Sequence, residues 1–158
     1  MKPRILLVNP PIYDFSAYDF WLKPYGVLRT AGFLRGSADF ALFDFLDRFD
    51  ARVPPGNYRS DNWGRGEIYS EICDKPAIFA PIRRRFRRFG LPASALQNFF
   101  AHEAPFDVAL VQTGMTYWYP GLAEVVREVR ALAPTIKIVL GGVYATLCPE
   151  HARSLGAD

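Results

Sequence analysis

Apolar positions along the chain follow two alternating rhythms. Arg4–Asn9, "RILLVN", is a continuous apolar run stopped by Pro10-Pro11. Such a run reads as a strand buried on both faces. Pro24 then opens a helix at its first position. Val27, Leu28, Ala31 and Leu34 recur at helical spacing, and Gly36 suits the exit. Phe40–Leu46 and Val108–Gln112 give a second and a third strand. Thr113-Gly114-Met115 and an aromatic loop, Tyr117-Trp118-Tyr119, follow the third. Pro120 opens a helix whose apolar stripe is Leu122, Val125, Val126, Val129 and Leu132, and Pro134 ends it. Ile136–Leu140 makes a fourth strand, and Pro149 begins a last helix toward Gly156.

This order predicts an α/β fold: a doubly wound parallel sheet, flavodoxin-like or Rossmann-like, with covering helices. Residues 48–105 interrupt the alternation. Helical stretches are expected there at Glu67–Cys73, at Ile82–Phe89 (Ile82, Phe86 and Phe89 on one face) and at Ala93–His102. The segment "PPGNYRSDNWGRG" reads as loop. The chain is therefore expected to be one domain, 1–158, carrying a helical insertion at 48–105. A helix leaving through Gly156 leads to a further strand in this architecture. The reading is thus a fragment truncated before its last strand, whose open sheet edge could pair with a second copy as a dimer.

Composition narrows the class. Half of the 158 residues are apolar and 15% are aromatic, which suits a globular domain with a core. No apolar run approaches the roughly 20 residues needed to span a bilayer. The start, "MKPRILLVNPP", breaks too soon for a secretory signal. Cys73 and Cys148 give neither a disulfide framework nor metal-site spacing, so a reducing, cytoplasmic setting is expected. The net charge of +3 is uneven. Residues 48–105 hold ten Lys/Arg against six Asp/Glu, and the basic character peaks at Arg83-Arg84-Arg85-Phe86-Arg87-Arg88. A nucleic-acid binder spreads its basic residues over one face of the fold, so no nucleic-acid partner is expected. The basic run reads as a solvated face.

In an open parallel sheet, ligands bind outside the carboxyl ends of the strands, where strand order reverses. Three loops should meet there: Asn9-Pro10-Pro11-Ile12-Tyr13-Asp14, Thr113-Gly114-Met115-Thr116, and Gly141-Gly142-Val143-Tyr144-Ala145-Thr146. The glycines allow close backbone approach. Backbone N–H groups and the hydroxyls of Thr113, Thr116 and Thr146 could bind phosphate or amide groups. Several ligand classes lack their motif. The first loop has no Gly-x-Gly-x-x-Gly, and neither a P-loop nor a Gly-x-Ser-x-Gly elbow is present. Thr113 stands where a phosphorelay receiver needs an aspartate. His102 and His151 lie far apart without ligand-spaced neighbours and read as surface or helix-end residues.

"RILLVNPP", "VALVQTGMTYWYPG" and "IVLGGVYATLCPEHA" together resemble the amino-terminal cobalamin-binding domain of radical S-adenosylmethionine (radical SAM) enzymes. The resemblance covers residues 4–47 and 106–158 and leaves the insertion unexplained. It implies that Thr113 bonds a buried nucleotide tail and that Gly141 and Gly142 let the tail thread into the sheet. It further implies that Tyr144, Ala145 and Thr146 line the tail or the corrin edge. Pro10, Pro11, Tyr13, Gly114, Met115 and Thr116 complete the expected cofactor-binding set.

Two departures matter. Cobalamin modules of the methionine-synthase type carry a cobalt-ligating histidine in the first loop, and "NPPIYDF" has none. The resemblance then implies base-off cobalamin without protein His ligation. The radical SAM cluster also requires Cys-x-x-x-Cys-x-x-Cys, and this chain has two cysteines. The iron–sulfur cluster, S-adenosylmethionine and the catalytic domain, the expected partner, would all lie outside it. No activity is expected from this chain alone; the parent would be methyltransferase-like. A non-catalytic interaction or regulatory module, and a small nucleotide-binding domain, remain open as alternatives.

Overall fold

The computed structural model describes residues 2–158. In chain order, β1 (Arg4–Asn9), β2 (Ile12–Asp14) and β3 (Tyr18–Asp19) precede α1 (Tyr25–Leu34) and β4 (Asp39–Asp44). Next come β5 (Gly66–Glu67), β6 (Ser70–Ile72), β7 (Arg87–Phe89) and α2 (Ala93–Glu103). The chain closes with β8 (Val108–Thr113), α3 (Tyr119–Leu132), β9 (Lys137–Gly142), α4 (Val143–Leu147) and α5 (Pro149–Ser154).

Four strands form an all-parallel sheet in the order β4-β1-β8-β9. The chain steps from β1 outward to β4, then crosses back over β1 to β8. Strand order therefore reverses between β1 and β8, which is the ligand-binding switch point of a doubly wound sheet. Helices cover both faces. Leu6, Val8, Ala109, Val111 and Ile138 pack on one face against Leu96 and Phe100 of α2 and Leu122, Val125, Val126 and Val129 of α3. Ile5 and Leu7 pack on the other face with Val27 of α1. The period-two split of β1 across two cores is why its sequence reads as a continuous apolar run. Each fully buried Leu or Val contributes about 1.5–3 kcal/mol, and Leu6, Leu122 and Val125 are fully enclosed.

The insertion differs from its expectation. Ala93–Glu103 is a helix as the pattern implies, but the other two expected helices do not form: the end of β5 and all of β6 fall in the first stretch, and β7 takes only the end of the second. Antiparallel pairing joins β2 to β7 and β7 to β6, and β3 pairs with β5. The helical spacing of Ile82, Phe86 and Phe89 misleads because Ile82 is exposed, Phe86 is buried just before β7 and Phe89 is buried on it. Part of the first loop also becomes β2. The insertion thus forms two small sheets with the segment after Pro11, one of three strands (β2-β7-β6) and one of two (β3-β5). No helix among the described residues is long and apolar enough to cross a membrane.

Candidate functional site

The site forms where β1 and β8 end. Asn9 is buried and donates from Nδ2 to Asp44 Oδ1 at 2.7 Å. Burial pushes the Asp44 carboxyl up from its ordinary value. Gln112 donates to Asn9 Oδ1 at 3.4 Å and accepts from the Gly26 N–H at 3.1 Å. This polar chain ties β4, β1 and β8 to the start of α1.

Thr113 ends β8 buried. Its hydroxyl donates to the Gly141 carbonyl at 3.0 Å and accepts from the Ala145 N–H at 3.3 Å. The hydroxyl is therefore already engaged in fastening β8 to β9 and to α4. Gly142 has φ +119°, and a Cβ there would lie 2.4 Å from the Thr113 carbonyl oxygen. Only glycine suits that position. Gly141 is different: a Cβ there would meet nothing within 4 Å. Both glycines are the last residues of β9, not of a loop beyond it.

Two spaces open beside these groups. A cavity of about 90 Å³ sits at the strand ends, lined by Asn9, Pro10, Pro11, Met115, Trp118 and Tyr144. A groove of about 580 Å³ runs along the α1 face of the sheet, lined by Tyr25, Thr30, Leu110, Val139, Gly141 and Val143. Lys23, Gln112, Thr113 and Gly114 border both. Trp118, Tyr119 and Tyr144 are among the side chains that wall the strand-end cavity. The roomy path lies under α1. Close packing sets the crown: a Cβ on Gly121 would lie 1.8 Å from the Pro11 carbonyl oxygen.

The structure thus brings together Pro10, Pro11, Thr113, Gly114, Met115 and Tyr144 at the strand ends, and Gly141 and Gly142 at the groove. Tyr13, Thr116, Ala145 and Thr146 line neither space. Tyr13 instead turns toward α3 and donates to Glu124 Oε2 at 2.7 Å. Thr146 donates to the Gly142 carbonyl at 2.9 Å. Sequence reasoning missed Lys23, Gln112 and Val139. Gln112, the one polar residue inside "VALVQ", was the available signal. His151 is exposed, as expected of a helix residue, but its Nδ1 is hydrogen-bonded to the Tyr144 hydroxyl and its ring meets Tyr119 edge-on at 4.9 Å. Burial raises the Tyr144 hydroxyl above its ordinary value. No group of three or more metal-ligating side chains lies together among the described residues.

The chain matches no known family model, and no curated protein is detectably similar to it.

Proposed function

We propose that this chain is the cobalamin-binding domain of a radical SAM enzyme, holding the nucleotide tail in the groove beneath α1. The observation that carries the reading is the open flank of Gly141. The groove is of nucleotide size, and its sheet wall lacks a side chain where Gly141 points into it. Val139 lies two residues before Gly141 on the same face and supplies an apolar wall. Thr113 fixes the end of that wall through its hydrogen bond to the Gly141 carbonyl.

When bound, the cofactor supplies a cobalt centre suited to methyl transfer. This chain's residues supply binding and orientation. Lys23 stands where groove and strand-end cavity meet and offers a cation to a phosphate. Pro10, Pro11 and Met115 give the crown an apolar surface. Neither His102 nor His151 lines either space, which accords with base-off binding without a protein imidazole. Cys73 and Cys148 are both free, and a three-thiolate cluster needs more. The radical step then belongs to a catalytic domain outside this chain.

A free nucleotide in the same groove is the competing reading, favoured by the same volume. Thermal shifts separate the two, since a ligand of the folded state raises its melting temperature by mass action. Hydroxocobalamin should raise it and AMP or ATP should not. The reverse pattern would replace this proposal with the nucleotide reading.

A further inference from the structure

Between the insertion and the segment from Phe15 to Tyr18 lies a groove of about 500 Å³ that shares no residue with either space described above. Its walls include Phe15, Ser16, Tyr58, Tyr69, Ser70 and Arg87. We propose that this groove is a binding site for a small organic anion, a phosphate or carboxylate carried on a flat ring.

Arg87 carries the argument. It lies on β7 with its guanidinium half-buried, and the basic run there alternates across a strand. Arg88 points inward and pairs with Glu124 at 2.7 Å. Arg87 points outward into the groove, where its side chain donates to Ser70 Oγ at 3.0 Å and makes no ion pair among the described residues. A guanidinium held by one neutral hydroxyl keeps most of its donor fork free for a planar oxyanion. The charges nearest to it are engaged elsewhere. Arg59 and Glu67 line the same groove but neutralise each other at 2.6 Å. Arg84 reaches the rim, where it donates to the Phe15 carbonyl at 3.4 Å, and it makes no ion pair among the described residues. Two carboxylates oppose Arg87: Asp14 stands across from it in the β2–β7 register but is held by the Phe15 N–H at 2.6 Å and the Trp118 indole N–H at 3.0 Å, and Glu71 is exposed at the edge and bonded by the Tyr69 hydroxyl at 2.6 Å.

The remaining wall explains the flat ring. Tyr58 and Tyr69 meet edge-on at 6.5 Å, and Phe15 lies on the wall with them. An aromatic ligand there gains contact area that a bare anion does not. The arrangement also gives the basic run a division of labour: Arg88 fastens the insertion to the core, and Arg87 faces outward to a ligand.

Calorimetric titration with phenyl phosphate, inorganic phosphate and benzoate tests this. Phenyl phosphate should bind saturably and more tightly than inorganic phosphate; benzoate then shows whether a carboxylate serves equally. Arg87→Gln should weaken binding at least about tenfold, the scale of a lost charge-assisted contact. Arg29→Gln, an exposed change on α1, should leave it unaltered. Should Arg87→Gln fail to fold, Arg84→Gln at the rim should still weaken binding, and rising salt should do the same. Absence of saturable binding with all three probes, or wild-type affinity in both arginine variants, overturns the site. Neither result bears on cobalamin, whose groove is separate.

Discussion

The Thr113 hydroxyl and the Gly141 carbonyl meet at 3.0 Å across the ends of β8 and β9. That bond closes the sheet at the point where the two glycines diverge in role. Gly142 is held in a conformation and a contact that only glycine tolerates, whereas Gly141 faces open space. Gly142→Ala should therefore destabilise the fold by at least about 2 kcal/mol. Gly141→Ala should be neutral or stabilise by up to about 1 kcal/mol, since glycine is the costlier residue within a strand. Urea unfolding midpoints of the two variants measure the contrast. Equal midpoints would contradict this division.

Arg88 and Glu124 form a buried ion pair, with side chains 7% and 4% exposed. Arg88 also donates to the Leu91 carbonyl at 2.7 Å, so β7 is anchored to α3 and to the start of α2. Glu124→Ala should cost about 3–5 kcal/mol, because it leaves a buried guanidinium uncompensated. A paired Arg88→Met, Glu124→Leu variant should lose less than either single change. A double variant as unstable as the sum of the singles would show that the two side chains act independently.

Tyr13 completes that network and gives it an alkaline limit. Burial, the hydrogen bond to Glu124 and its charge together push the Tyr13 hydroxyl well above its ordinary value of 10.0. A folded-state value above the unfolded one means stability is fully present below about pH 10 and is lost as pH rises through the raised value. Melting temperatures between about pH 9 and 11 should fall more steeply for wild type than for Tyr13→Phe. Parallel curves would remove Tyr13 from the role.

The central sheet was legible because buried parallel strands leave apolar runs and proline-opened helices leave stripes. "RILLVN" and "VALVQ" became β1 and β8 within a residue of their expected ends. The insertion was not legible because its order depends on distant pairing. Arg88 reads as surface charge in sequence, and only Glu124, 36 residues on, makes its burial tolerable. Likewise Tyr13 belongs by sequence to a loop at the strand ends, yet β2 pairs with β7 and swings it to α3. The site was half legible. Strand-end residues are marked by local chemistry, but Val139 and Lys23 become groove residues only once α1 lies across the sheet.

Arg48 makes a smaller prediction within the insertion. Its guanidinium, 5% exposed, bonds Ser60 Oγ at 2.8 Å and the Gly64 carbonyl at 3.0 Å, and lies 3.4 Å from Asp19. A Cβ on Gly66 would lie 2.2 Å from Arg48 Nη1. Arg48→Lys, which cannot fork to these acceptors, should destabilise by about 1–3 kcal/mol and raise protease cleavage within 54–66. Unchanged cleavage would show that the loop is held by other means.

The most direct measurement is retention of hydroxocobalamin. Wild-type protein and Gly141→Leu are incubated with the cofactor, freed of excess by gel filtration and examined by visible spectroscopy, with circular dichroism confirming that both are folded. Wild type should retain the cofactor stoichiometrically with a base-off spectrum, and a leucine in the groove should cost at least about tenfold in affinity. A wild-type chain that emerges colourless, or a folded Gly141→Leu variant that holds the cofactor equally well, would contradict cobalamin binding in this groove.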